Sequence, residues 1–256
     1  MTELEVYLRA RYPLLYLLTH EEERAIAVLG TLAESLRKEL ILWSFTEGLG
    51  GDSALRDPQA ALDAILRADG RGLYVLRDLH AFFGNAGVVR KLRELGHAVK
   101  QTAKSVVLLS PVLSLPPELA KELAVVDFPL PDQPTIAQMI DRAGEMAGRP
   151  AKLDLLQKER LAGAAKGLSA GEIANALAKA LVVHRALDDR AIAVMAEEKR
   201  QILRKTGVLE YFDHPEAIEM VGGLEDLKEW LRKRVSAFGS LARDYGLPEP
   251  RGVLLA

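Results

Sequence analysis

The chain has 256 residues, with 34 Lys and Arg against 36 Asp and Glu and a net charge of −2, a balance that argues against a continuous nucleic-acid groove and leaves room only for a local basic patch. Hydrophobic residues make up 49%, enough for a sizeable core, and there is no cysteine. That excludes disulfides, zinc–thiolate sites and thiol chemistry, and it fits a reducing, cytoplasmic setting. The opening M-T-E-L-E-V carries acids and no basic segment ahead of an apolar stretch, so it does not read as a signal peptide. No apolar run approaches the ~20 residues of a membrane-spanning helix.

Leu14 to Leu18 is a short continuous apolar run after Pro13, the pattern of a strand buried on both faces. Thr19 with Glu22 forms an S/T-x-x-E capping box, and Glu21 to Glu23 fill the first turn of a helix reaching Lys38, with Ile26, Leu29, Leu32 (or Ala33) and Leu36 at helical spacing. A phosphate-binding fold places a glycine-rich loop at such a strand-to-helix junction. Here the loop has neither glycine nor lysine, and the carboxylates would repel a phosphate. Leu40 to Phe45 is a second strand. The loop from Thr46 to Pro58 contains Gly48, Gly50 and Gly51, but no Lys-Ser/Thr pair follows, so it reads as a flexible surface loop and not a phosphate cradle.

A short helix is expected over Gln59 to Ala68, a third strand over Gly72 to Asp78, a helix over Ala86 to Lys100, and a fourth strand over Ser105 to Leu109, closed by Ser110-Pro111. A short Pro-initiated helix over Pro116 to Leu123 precedes a fifth strand over Ala124 to Leu130, which Pro129 marks as an edge or a strand end. Five alternations of strand and helix predict an α/β fold with a parallel five-stranded sheet. Ligands in such sheets bind beyond the carboxyl ends of the strands. Thr19, His20, Thr46, Asp78, His80 and Ser110 fall there.

From Pro134 onward only helices follow, over Thr135 to Ala147, Leu153 to Leu161, Ala170 to Val183 and Asp188 to Lys205. The third has a second capping box, Ser169 with Glu172, and a stripe of Ile173, Leu177 and Leu181. This predicts an α/β domain over 1–133, a small helical subdomain over 134–205, a connector over 206–219 and the start of a further domain over 220–256. In the last, Val221-Gly222-Gly223-Leu224 opens a helix with an apolar stripe of Leu224, Leu227, Leu231, Val235 and Phe238, and Arg251 to Ala256 begins a strand. A strand at the chain end lacks partners, so the sequence is expected to be a piece of a longer protein.

Several constellations carry alternative readings. Ser110, His20 and Asp78 lie at three strand ends as a hydrolase triad would, but no G-x-S-x-G surrounds Ser110. The five histidines show no metal-ligand spacing, so no metal site is expected. The basic run Lys199 to Lys205 has no interleaved aromatics and reads as a solvated face, which argues against nucleic acid as a partner.

Three blocks together resemble a family: R-A-R-Y-P-L-L-Y-L-L-T-H-E-E-E-R (Arg9 to Arg24), E-E-K-R-Q-I-L-R-K-T-G-V-L-E-Y-F (Glu197 to Phe212) and V-G-G-L-E-D-L-K-E-W-L-R-K-R (Val221 to Arg234), continuing into G-L-P-E-P-R-G-V-L-L. The family is the AAA-type ATPases that cyanobacteria, some other bacteria and many algal chloroplasts encode as a conserved hypothetical chloroplast open reading frame. The resemblance implies a degenerate, P-loop-NTPase-like AAA domain with its helical lid, then the start of an intact AAA module whose phosphate loop would follow Ala256. It implies a parent that binds and hydrolyses ATP with Mg²⁺, assembles as a hexamer-type homo-oligomeric ring and works in the cytoplasm, or in the chloroplast stroma if plastid-encoded. For this piece it implies an assembly or regulatory role without a cofactor or catalytic residues, its partners being the ATPase domain and neighbouring subunits; the alternative is an active nucleotide-binding enzyme domain. By the same resemblance Asp78 stands at the Mg²⁺-binding acid, followed by Leu79 where a catalytic Glu belongs. Ser110 stands near the polar sensor position, and Gly222 and Gly223 match the segment lying against adenine.

Overall fold

The computed structural model describes residues 2–148, 153–206, 222–235, 237, 242 and 245–246. It divides into two units, residues 1–202 and 203–256.

The first unit opens on a helix that the sequence pattern did not announce, α1 (Glu3–Arg9). Thr2 Oγ1 accepts from the amide of Glu5, and Leu4 and Leu8, four residues apart, turn inward. Then come β1 (Leu14–Leu18), α2 (Glu22–Ser35), β2 (Glu39–Ser44), β3 (Gly48–Leu49), α3 (Pro58–Arg67), β4 (Gly72–Arg77), α4 (Ala86–Val99), β5 (Ser105–Ser110) and β6 (Ala124–Asp127). The sheet order is β3-β2-β4-β5-β1-β6, parallel throughout except for β3.

Strand side chains alternate between two cores. Leu14, Tyr16, Tyr74, Leu76, Val106 and Leu108 pack against α3 and α4. Leu15, Leu17, Leu73, Val75, Val107 and Leu109 face α1 and α2. Burial on both faces explains why these strands read as unbroken apolar runs. The expected α/β class and parallel sheet are borne out.

A sixth strand corrects the expected count of five. Gly48 and Leu49 pair antiparallel with Ser44 and Trp43, so the glycine-rich stretch is a structured hairpin and not a flexible loop. Gly48 has φ 85, and a Cβ there would lie 1.8 Å from the carbonyl oxygen of Asp52. The hairpin closes where Trp43 Nε1 donates to the Leu55 carbonyl at 2.9 Å. It sits at the sheet edge, four places from β1. The Pro116 to Leu123 helix shrinks to a single 3₁₀ turn, Pro117–Leu119. β6 is an edge strand and ends at Asp127 rather than Leu130, since Pro129 has no amide to donate.

The helical part of this unit comprises α5 (Gln133–Met146), α6 (Leu155–Ala165), α7 (Ala170–His184) and, up to Ile202, α8 (Arg190–Thr206). Ile136, Ile140, Leu161, Ile173, Leu177, Leu187 and Met195 form its core. Side-chain caps define its helix starts: Asp132 for α5, an Asp154–Gln157 capping box for α6, and the expected Ser169–Glu172 box for α7. Asp188 accepts from the amide of Arg190 at 3.0 Å, so α8 begins two residues later than the acidic pair suggested.

In the second unit, α9 runs Glu225–Val235. The expected apolar stripe is not a buried face. Leu224 and Val235 are exposed, Leu227 and Leu231 are half-buried, and Lys228 is the buried side chain, its amine donating to Glu225 at 3.0 Å. A helix this rich in charge has too few apolar positions for a wide stripe. Phe238, most of the connector (207–219) and the strand over 251–256 lie outside the described residues.

Candidate functional site

The carboxyl end of β1 leads into α2 through Thr19, His20 and Glu21. The amide of Thr19 still donates to the Ser110 carbonyl at 2.9 Å, so Thr19 extends the sheet pairing and its amide is not left for a glutamate of a capping box. Its hydroxyl accepts from the amide of Glu21 at 3.0 Å. The helix starts only at Glu22. The Thr19–Glu22 capping box is therefore absent, and Glu22 instead reaches Arg77 at 3.3 Å, at the end of β4. Arg77 also pairs with Glu47 and donates to the Trp43 carbonyl, tying together the ends of β1, β2 and β4.

Glu21 is the N-cap of α2 by position but makes no cap bond to it. Its carboxylate is turned across the domain. One oxygen accepts from the amide of Ala170, the first residue of α7, at 2.5 Å. The other pairs with Arg24, and the Glu21 side chain is only 6% exposed. Arg24 in turn donates to the Pro129 carbonyl and stacks over the Phe128 ring at 4.2 Å, fastening the segment that leads into the helical part. A helix N-terminus offers unsatisfied amides and a positive dipole end, the features that attract phosphate. At α7 the protein's own carboxylate fills that role.

Between these elements lies a cleft of ≈ 370 Å³ lined by Glu21, Glu22, Glu23, Arg24, His20 and the start of α7 at Ser169 to Gly171. Three carboxylates against one already paired guanidinium is a donor set unsuited to a triphosphate, whose charge has the same sign. No sequence reading marked Glu21 as reaching α7. The one local signal was the Glu21/Arg24 spacing, which suits an ion pair on a helix face.

Asp78, Ser110 and His80 are brought together. Asp78 adopts a left-handed conformation (φ 53) that ends β4 early, and its side chain is 59% exposed. Ser110 is buried, and its Oγ lies 2.9 Å from His80 Nδ1 and donates to the Val112 carbonyl at 2.8 Å. His80 Nδ1 is also the nitrogen facing Asp78, at 3.8 Å. A triad needs opposite imidazole nitrogens for serine and acid. Here one nitrogen faces both, and the serine proton is committed to a carbonyl, so the arrangement braces the loop after β5. His20, the histidine expected with Ser110 and Asp78, is exposed and lines the cleft instead. Thr46 is exposed and bonds Ser44 at 3.1 Å.

Gly222 and Gly223 belong to the second unit and are exposed, Gly223 with φ 72. Among the described residues no cluster of His, Asp and Glu could hold a metal ion, and no helix is long and apolar enough to cross a membrane. In the basic run, Lys199 donates to the Lys166 carbonyl at 2.7 Å and Arg200 pairs with Glu197 at 3.0 Å.

The parallel sheet, the strand-end cleft and the helical part after it define a P-loop-NTPase-like AAA domain. Solved structures bear this out at the level of fold. A Rhizobiales Trip13 structure matches with TM-score 0.51 at 18% identity, covering 77% of each chain. A katanin structure solved to explain its self-assembly matches with TM-score 0.51 at 15% identity, covering 84% of each chain. The family model for the SpoVK-like AAA ATPase N-terminal domain matches residues 1–128, and that for the second domain of the same proteins matches residues 134–206. The chain belongs to the SpoVK-like AAA ATPase family. Among its relatives are uncharacterized AAA domain-containing proteins named ycf46. That of Trieres chinensis is 32% identical over 99% of this chain and 52% of its own length, and that of Guillardia theta 31% identical over 99% and 51%. The chain thus spans about half the length of the curated relatives it matches.

Proposed function

We propose that this chain is the regulatory and assembly portion of an AAA-type ATPase, and that its own nucleotide-type cleft is spanned by a protein carboxylate and works without nucleotide. The observation that carries the reading is the Glu21 carboxylate seated on the Ala170 amide, in a cleft lined by two further glutamates. Together with the missing phosphate loop and Leu79 in place of a catalytic glutamate, it supports a domain kept for its shape. In this reading residues 1–133 are a degenerate AAA domain, 134–205 its lid, 206–219 a connector and 220–256 the start of a working AAA domain. Gly222 and Gly223 then contribute the adenine-side backbone, while Asp78 and Ser110 persist as relics. ATP and Mg²⁺ belong to the parent protein and are not required by this piece. Its partners are the working domain and neighbouring subunits in a ring of identical chains, in the cytoplasm or in a plastid stroma. The self-assembly named for the katanin structure is in keeping with such a ring.

Calorimetric titration of the chain with Mg–ATP, with hydrogen exchange read in parallel, tests this. The expected result is no protection gained at residues 19–24 or 169–171 at saturating nucleotide. Saturable binding with protection at those residues overturns the proposal and returns the chain to the class of active nucleotide-binding domains.

A further inference from the structure

At the other end of the sheet, where the parallel strands begin, a second cavity of ≈ 210 Å³ is lined by Arg9, Arg11, Lys38, Arg71, Lys104 and Thr102, with Leu8, Leu36 and Ala103. Four of the cations come from the segments immediately before β1, β2, β4 and β5. Among the described residues no carboxylate lines the cavity. Two of the five cations have structural roles: Arg9 is paired with Glu5 at 2.8 Å, and buried Lys104 donates to the Ile65 and Leu66 carbonyls at 2.9 and 3.2 Å, capping the end of α3. The other three are left over. Among the described residues Lys38 has only the neutral Ser105 hydroxyl, at 2.6 Å. Arg11 and Arg71 are exposed and have no carboxylate partner among the described residues. Glu39, next in sequence, is exposed and does not line the cavity.

α1 and α2 end nearby, and a helix C-terminus attracts a cation, which would raise the pKa of a lysine. The Lys38 amine instead falls to about 8, through burial first and then repulsion by Arg71 and Arg11. Arg71 lies beyond the end of α3, on the loop into β4, where its carbonyl accepts from the Glu39 amide. Arg11 is held in a left-handed conformation, φ 57, that aims the turn into β1. Like charges gathered without a counter-charge repel, and a bound anion supplies an attraction to each cation that offsets the repulsion among them.

We propose that this cavity binds a compact, multiply charged oxyanion of the phosphate class through Arg11, Lys38 and Arg71. Guanidinium forks suit phosphoryl oxygens. The volume admits a phosphate or pyrophosphate but falls short of the roughly 300–1,000 Å³ of pockets that enclose a whole drug-sized ligand. The site is separate from the acidic cleft and does not depend on what that cleft does.

The test is calorimetric titration of the full chain with inorganic pyrophosphate at low salt. Saturable binding of one anion per chain is expected, weakened about tenfold or more in the Arg11→Gln/Arg71→Gln variant and unchanged in Glu21→Gln. Hydrogen exchange on the unaltered chain provides a readout that does not rely on a folded variant: pyrophosphate should protect residues 38–39, 71–72 and 104–105. Tighter binding of pyrophosphate than of glycerol phosphate would identify a free polyanion, and the reverse order a phosphate monoester. No saturable binding, equal affinity in the double variant, or protection confined to residues 19–24 overturns the assignment.

Discussion

Replacing Glu21 with Ala removes the link between the start of α2 and the start of α7. The lost carboxylate is 6% exposed and serves two groups, the Ala170 amide at 2.5 Å and the Arg24 guanidinium. A hydrogen bond to a charged group is worth about 1.5–3 kcal/mol, and stripping one partner from a fully buried ion pair costs about 3–5 kcal/mol. Arg24 remains 24% exposed and keeps the Pro129 carbonyl and the Phe128 ring, so the lower part of that range applies. The expected loss is about 2–3 kcal/mol, a fall in Tm of roughly 4–12 °C for a chain of this size. Glu21→Gln keeps an acceptor for Ala170 and should lose about 1 kcal/mol. Urea unfolding measures both. Hydrogen exchange supplies the specific signature, faster exchange at Ala170 while amides in the middle of α7 stay protected. A change under about 0.5 kcal/mol in Glu21→Ala, with exchange at Ala170 unaltered, would refute the account of the latch.

Two further outcomes follow from residues on either end of the sheet. Burial and the neighbouring arginines lower the folded Lys38 amine from its ordinary 10.5 to about 8, so between those values the folded chain binds fewer protons than the unfolded one, and this group's penalty is full below pH 8 and fades as pH rises toward 10.5. That gap corresponds to about 3 kcal/mol, which water around the half-buried amine reduces to roughly 1–2 kcal/mol. The stability of the unaltered chain relative to Lys38→Met should rise by that amount between pH 7 and 10.5 in urea titrations, and an opposite trend refutes the desolvated-cation picture. At Asp78, the left-handed backbone (φ 53) and exposed side chain predict that Asp78→Asn stays within about 0.5 kcal/mol of the parent, because Asn tolerates that conformation, while Asp78→Ala loses about 1 kcal/mol. Equal melting temperatures for the two variants would show that backbone conformation does not govern this position.

Some of the fold was legible because its causes are local. Leu14 to Leu18 and Val106 to Leu109 are apolar at every position, too short for a helix and suited to a strand covered on both faces. Ser169 and Glu172 satisfy each other within one turn, so their capping box could be read from spacing. Thr19 and Glu22 have the same spacing and failed, because each was claimed from elsewhere. Ser110 holds the amide of Thr19 in the sheet, and Arg77 draws Glu22 across to β4. The same competition put His80 rather than His20 beside Ser110.

The order of residues alone determined an α/β sheet followed by helices, and a first strand-to-helix junction that is acidic where a phosphate site would need glycine and lysine. Tertiary structure decided what that acidity does. Glu21 and Ala170 are 149 positions apart in the chain, as are no two residues that a capping rule or a helical period can relate, and their contact exists only because the folded strands and the helical part bring a helix end to a carboxylate. The cavity formed by Arg11, Lys38 and Arg71 arose in the same way. Parallel strands start side by side, so single cations scattered along the sequence converge at one end of the sheet, where their mutual repulsion first becomes a physical fact.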